Sequence, residues 1–203
     1  MLNVSERKQL YAFFATLFSY PDEELSAALE RGEGIRAAGL FPEARQPPKL
    51  AGETQVEELQ VAFTELFINR LGGAPAPPYG SVYLEGGERL MGVSTQSVAA
   101  AYSGEGLSVD GSVEPADYLP TELEFLYFLV EREEEALGRG DVEEARSTVR
   151  KQADFCRALL HPWTPEFCRR IRDDRDAHPL YVWGAGLLER FCECERNWLE
   201  GLV

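Results

Sequence analysis

Basic residues are in short supply in this sequence. Twenty lysines and arginines stand against thirty-five aspartates and glutamates, a formal net charge of −15, and histidine occurs only twice. Gripping a phosphate backbone takes a basic footprint, so the balance argues against nucleic acid as a partner. An anionic membrane surface repels such a chain as well, and a basic partner is its electrostatic complement. Long apolar runs are also missing. None approaches the ~18 residues of a spanning helix, so no stable membrane insertion is expected.

Cysteine is sparse: four residues, at 156, 168, 192 and 194, do not make a disulfide framework in a chain of 203 residues. There is no C-x-x-C pair. Cys192-Glu193-Cys194 puts its two thiols on different faces of a helix, and His161 and His178 stand far apart in sequence. Reduced thiols and no metal site are therefore expected.

Catalytic signatures are absent too. The chain has no G-x-x-x-x-G-K-[ST] phosphate cradle, no H-E-x-x-H and no G-x-S-x-G. A di-iron bundle needs Glu three residues before His, and those positions hold Ala158 and Arg175. Asp173, Asp174 and Asp176 are interleaved with Arg172 and Arg175 and read as a solvated helix end. Neither histidine has an obvious Ser or Cys partner, so the chain is not expected to be an enzyme, and no cofactor follows from it.

What is present is helical periodicity over a chain that is 44% hydrophobic and 11% aromatic, enough to bury a core. Arg7-Lys8 before an apolar stretch has the layout of a signal peptide. Yet Leu10, Phe13, Phe14, Leu17 and Phe18 fall at i, i+3, i+4, i+7 and i+8, and no small-x-small cleavage site follows. The spacing predicts an amphipathic first helix of an uncleaved cytoplasmic protein. Residues 22–29 form a short second helix, stopped by Gly32 and Gly34, and a Pro/Gly-rich loop follows through Gly52. Thr54 to Glu57 fits a capping box for a helix to about Arg70. Residues 71–92, with Pro75, Pro77, Pro78 and six glycines, admit no regular helix. Ser94 caps a helix ending at Gly104 or Gly106.

Leu123 and Phe125 to Val130 point in every direction around a helix, which belongs in the middle of the molecule. Asp141 caps the next helix, which breaks at His161-Pro162-Trp163. Thr164-Pro165 starts a short helix, and Leu180 to Trp198 stripe a long last one. Ser81 to Leu84 is the nearest approach to a strand. The expectation is an all-α fold: one domain over residues 1–203, a helical bundle of roughly eight to ten helices with a long Pro/Gly-rich loop.

Charge is segregated along the chain. Residues 114–135 carry eight acids and one base, whereas residues 146–175 carry eight bases and four acids. Glu131 and Glu133 to Glu135 read as a solvated face. Glu114, Asp117, Glu122 and Glu124 flank the entrance of the most buried helix, where a carboxylate is either a cap or a ligand contact. Irregular segments as long as 71–92 are uncommon and often functional. Tyr79 and Tyr83 on it either plug the core or present apolar surface.

Those segments carry a likeness. Pro77-Pro78-Tyr79-Gly80-Ser81-Val82-Tyr83-Leu84, Met91-Gly92 with Ser94, and Glu114-Pro115-Ala116-Asp117-Tyr118-Leu119 resemble the TorD/DmsD/NarJ family of redox-enzyme maturation chaperones. The likeness continues through His161-Pro162-Trp163, Phe167 and Ala177-His178-Pro179-Leu180-Tyr181 and covers roughly residues 55–200 in order. Leu66-Phe67-Ile68 places it nearest the TorD/DmsD branch. The resemblance implies an all-helical, non-catalytic cytoplasmic chaperone, monomer or homodimer. It would bind the twin-arginine leader or N-terminal region of a molybdopterin-dependent catalytic subunit and hold it until cofactor insertion, before export or membrane docking. Components of the twin-arginine translocase are further expected partners.

It also implies the leader contacts: Tyr79, Ser81 and Tyr83 from the first motif, Glu114, Pro115, Asp117 and Tyr118 from the second. Carboxylates such as Glu122 would add charge and Phe125 apolar surface. The family usually has His where this chain has Tyr118, which cannot become cationic near neutral pH. Weak guanine-nucleotide binding is implied by the resemblance alone. Two other function classes remain open from the residues: a small-molecule or nucleotide-binding helical protein, and a helical adaptor unrelated to redox enzymes.

Overall fold

The computed structural model describes residues 2–49, 55–86, 91–108 and 114–201; Thr54 of the capping-box reading lies outside them. The described residues form ten helices and no strand. None of these helices is long and apolar enough to cross a membrane.

The first, α1 (Val4–Phe18), is opened by a reciprocal cap in which Asn3 accepts from the Glu6 amide and Glu6 accepts from the Asn3 amide. Its predicted stripe, Leu10 to Phe18, is buried throughout. Asp22 caps α2 (Glu23–Glu30) through its carboxylate. A third helix, α3 (Glu33–Gly39), replaces the predicted loop. Gly32 reverses the chain at φ +73° and opens α3, and Gly34 lies inside it, where a Cβ would stand 3.2 Å from the Trp183 ring. The helix stop was thus a helix start with a close approach behind it.

Next, α4 (Gln55–Phe63) continues through a π-helical turn at Thr64–Ile68. The Pro/Gly-rich segment contains a one-turn helix, α5 (Gly80–Leu84), in place of the nearest strand candidate. Gly92 occupies the cap position of α6 (Val93–Gly104); the Ser94 amide and hydroxyl instead donate to Glu85, at 2.7 and 2.5 Å. The predicted central helix is α7 (Leu119–Gly138), with Pro120 in its first turn. Asp141 caps α8 (Val142–Phe155) as expected, and a second π-helical turn, Cys156–Leu160, follows. Thr164 does not cap α9 (Thr164–Asp173), because its hydroxyl donates back to the Leu160 carbonyl at 3.1 Å. Last comes α10 (Pro179–Glu200), capped by His178 Nδ1, which accepts from the Leu180 amide at 3.2 Å.

Helix α1 lies along α7, α7 along α8, and α9 along α10. One continuous core joins them, and it is largely aromatic: Phe14 stacks on Phe191, and Phe67 on Phe167. Burying each such ring contributes about 1.5–3 kcal/mol.

Two charge readings need correction. Glu133 is buried rather than solvated: its carboxylate takes two 2.8 Å bonds from Arg7 and one from Gln152. Asp174 does not simply finish a solvated helix end either, because it pairs with Arg70 at 2.5 Å and its side chain is 5% exposed. In both cases the partner lies more than a hundred residues away in sequence, out of reach of any local pattern.

Candidate functional site

The two motif segments meet. The Pro78 carbonyl accepts from the Leu119 amide and the Asp117 carbonyl from the Gly80 amide, both at 2.9 Å, with an antiparallel bridge pairing Tyr79 to Tyr118. Side chains lock the junction. Asp117 Oδ2 accepts from the Ser81 amide at 2.6 Å, satisfying a donor in the first turn of α5. The Tyr79 hydroxyl donates to Glu114 Oε2 at 2.8 Å. The Tyr79 and Tyr118 rings lie 5.4 Å apart, and the Tyr118 hydroxyl reaches the Phe18 carbonyl at the end of α1. Burial and the neighbouring carboxylates push both phenols above their ordinary pKa, so they act here as neutral donors.

Beneath this junction lies a group of buried polar atoms without partners: Ser81 Oγ, Tyr83 Oη, Asp117 Oδ1, both oxygens of Glu122 and the Trp163 indole nitrogen. Native interiors rarely leave such groups unpaired, and each one asks for an explanation. Gly80 makes the close approach possible, since a Cβ there would stand 3.1 Å from Trp163 Nε1 and 3.5 Å from Glu122 Oε1. Burial, and secondarily the negative Asp117, push the Glu122 carboxyl well above its ordinary pKa. The Trp163 indole N–H opposes that shift, although its alignment completes no hydrogen bond with either Glu122 oxygen. The Tyr83 ring stacks on Trp163 at 5.3 Å, and the Arg170 guanidinium lies over the same Tyr83 ring at 4.6 Å.

The predicted site residues Tyr79, Ser81, Tyr83, Glu114, Asp117, Tyr118 and Glu122 thus come together around one junction. Pro115 shapes it, its carbonyl accepting from the Tyr118 amide at 3.1 Å. Phe125 is set apart from them. It lies about one turn further along α7, and its ring contacts are with Tyr102, Phe128 and Phe155 in the α6–α8 core.

Beside the junction is a feature sequence reasoning missed. A cleft of about 340 Å³ between α1, α2 and α7 is lined by Asp22, Glu24 and Glu124, with Ser19, Thr16 and Tyr127, and by no basic residue. Partial burial raises the Glu124 pKa. Asp22 and Glu24 read in sequence only as the start of a helix. Nothing local placed them opposite Glu124, a hundred residues on. Leu84, Met91 and Val93, in or near the first motif in sequence, leave apolar side chains in solvent.

The chain matches the family model described as nitrate reductase delta subunit over residues 22–169. A chaperone protein TorD from Vibrio parahaemolyticus serotype O3:K6 is 28% identical, with 97% of this chain and 95% of that one aligned. A chaperone protein TorD from Vibrio vulnificus strain YJ016 is 32% identical over 71% of this chain and 65% of its own. Among solved structures, one described as a redox enzyme maturation protein from Archaeoglobus fulgidus superposes with a TM-score of 0.54 at 26% identity, covering 95% of this chain and 93% of that chain.

Proposed function

The chain belongs to the nitrate reductase delta subunit family, and its curated relatives are named as TorD chaperones; from that premise we propose that it is a cytoplasmic maturation chaperone for a molybdopterin-dependent oxidoreductase. It binds the twin-arginine leader or N-terminal region of the catalytic subunit and holds it until the cofactor is in place. Components of the twin-arginine translocase would receive the released client.

The observation that carries this reading is the set of unpartnered acceptors beneath the joined motifs, next to a cleft whose charged lining residues are all acids. A leader of this class offers a basic stretch followed by an apolar one. Each guanidinium brings five N–H donors in a rigid fork and no acceptor. Asp117 Oδ1, the Glu122 carboxyl, Ser81 Oγ and Tyr83 Oη supply acceptors, while Asp22, Glu24 and Glu124 supply field. The apolar stretch would lie over the Tyr79–Tyr118 pair and Leu84, Met91 and Val93. Binding masks the leader, and no covalent step is needed.

Calorimetric titration with the leader of a molybdoenzyme encoded beside this chain tests the reading. Binding should be micromolar or tighter, weaken with added salt, and fall when the twin arginines become lysines. Equal, negligible binding of both peptides would refute leader recognition.

One observation favours a second reading, an anionic small-molecule site. A groove of about 630 Å³ between residues 43–48 and α9–α10 is lined by Arg45, Arg172, Arg175 and Arg190 against Glu43 and Asp174. Titration with GTP, repeated on Arg175→Ala and Arg190→Ala, separates this from the leader site.

A further inference from the structure

A second polar cluster lies buried in the core, on elements the leader reading does not use. Cys156 and His161 stand at the two ends of the second π-helical turn, where the His161 amide donates to the Cys156 carbonyl at 2.8 Å. In an α-helix, residues five apart point in different directions. The wider π turn stacks them, so both side chains face α10 and meet Glu195 there. π-helical turns of this kind are frequent at functional sites.

The Cys156 Sγ, a His161 ring nitrogen and a Glu195 carboxylate oxygen all lie within 4.8 Å of one another, and all three residues are buried. Two of the spacings are His161 Nε2 to Glu195 Oε2 at 3.4 Å and Cys156 Sγ to Glu195 Oε2 at 3.6 Å. Tetrahedral zinc, with bonds of about 2.0–2.3 Å to O, N and S, holds neighbouring donor atoms roughly 3.3–3.6 Å apart. His161 is 6% exposed and its Nε2 completes no hydrogen bond, although it faces the cluster. The Tyr11 hydroxyl donates to the other Glu195 oxygen, an orienting contact of the sort that metal-bound carboxylates carry.

We propose that Cys156, His161 and Glu195 form a binding site for a zinc-class divalent cation, with Tyr11 positioning the carboxylate. Charge supports the assignment. Among the described residues, His161 is the only basic group within 4 Å of Glu195. A dication held by thiolate, carboxylate and neutral imidazole makes a buried set with no net charge. Solvent comes close on one side: His161, with Arg157, Arg196 and Glu200, lines an open cleft of about 350 Å³. Sequence spacing conceals the site, because a C-x-x-x-x-H pair with a glutamate 34 residues later matches no zinc signature.

The test uses the full chain, stripped with chelator and titrated with ZnCl2 by calorimetry and with CoCl2 by absorption. The expected result is one ion per chain, a rise in melting temperature, and a thiolate-to-cobalt charge-transfer band in the near ultraviolet. Cys156→Ser should abolish the band, Tyr11→Phe should weaken zinc affinity by roughly 10- to 100-fold, and Cys194→Ser, at the one exposed thiol, should change neither. A wild-type chain that takes up no stoichiometric ion would overturn the proposal and leave a metal-free hydrogen-bonded knot. So would a charge-transfer band that survives Cys156→Ser and vanishes in Cys194→Ser. The wild-type cobalt spectrum decides even if the Cys156 variant does not fold.

Discussion

Arg7 and Glu133 form a two-pronged ion pair, both carboxylate oxygens lying 2.8 Å from the same guanidinium nitrogen, with both side chains at least 95% shielded from solvent. Gln152 bonds to each of them, and the Trp198 ring covers the guanidinium at 4.0 Å. Through these four residues α1 is tied to α7, α8 and α10.

Breaking that pair from one side should be costly. Arg7→Met leaves Glu133 buried without its counter-charge and should lower unfolding free energy by about 3–5 kcal/mol. Replacing both, Arg7→Met with Glu133→Leu, should recover most of the loss. Urea denaturation of the two singles and the double measures it, and simple additivity would contradict the coupling.

Glu122 gives stability a pH slope. Burial first, and Asp117 second, raise its folded-state pKa above the ordinary 4.5. The folded protein therefore holds this proton where the unfolded chain has released it, and stability falls as pH climbs from about 4.5 through the folded value. Glu122→Gln should remove the slope. The variant should match the wild type in acid and exceed it at pH 7–8 in equilibrium unfolding. Parallel stability curves would contradict the assignment.

Asp117 has one oxygen committed and one open. Asp117→Ala removes the acceptor for the Ser81 amide and should lower stability by about 1 kcal/mol. If Oδ1 takes a leader guanidinium, peptide affinity should fall about tenfold or more, as loss of a charge-assisted bond requires. Melting temperature and peptide titration on the same variant separate the roles, and lost stability with unchanged affinity would confine Asp117 to capping.

Two glycines of α10 should answer differently to the same change. A Cβ on Gly184 would stand 2.5 Å from Leu17 Cδ2 of α1, so Gly184→Ala should destabilise by about 1–3 kcal/mol. Nothing lies within 4 Å of the corresponding position at Gly186. There the better helix former should stabilise by about 0.5–1 kcal/mol. Thermal unfolding of both variants checks the contrast.

The sequence by itself determined the helical class, the stripe of α1, the cap at Asp141 and the burial of α7, because each depends on residues within a few positions of one another. The two motifs were also legible. Their meeting was not: the Tyr79–Tyr118 bridge joins residues 39 positions apart, and no periodicity reports what lies across a helix face. The same limit hid α3, since a glycine that ends one helix and a glycine that starts the next look alike until φ is known. Only the tertiary structure decided which carboxylates lose their water. Glu133 is buried while Glu134 and Glu135 beside it stay exposed, and Glu195 gathers Tyr11, Cys156 and His161 from two other elements. A charge is desolvated by whatever packs over it, and in this fold those partners come from the far ends of the chain.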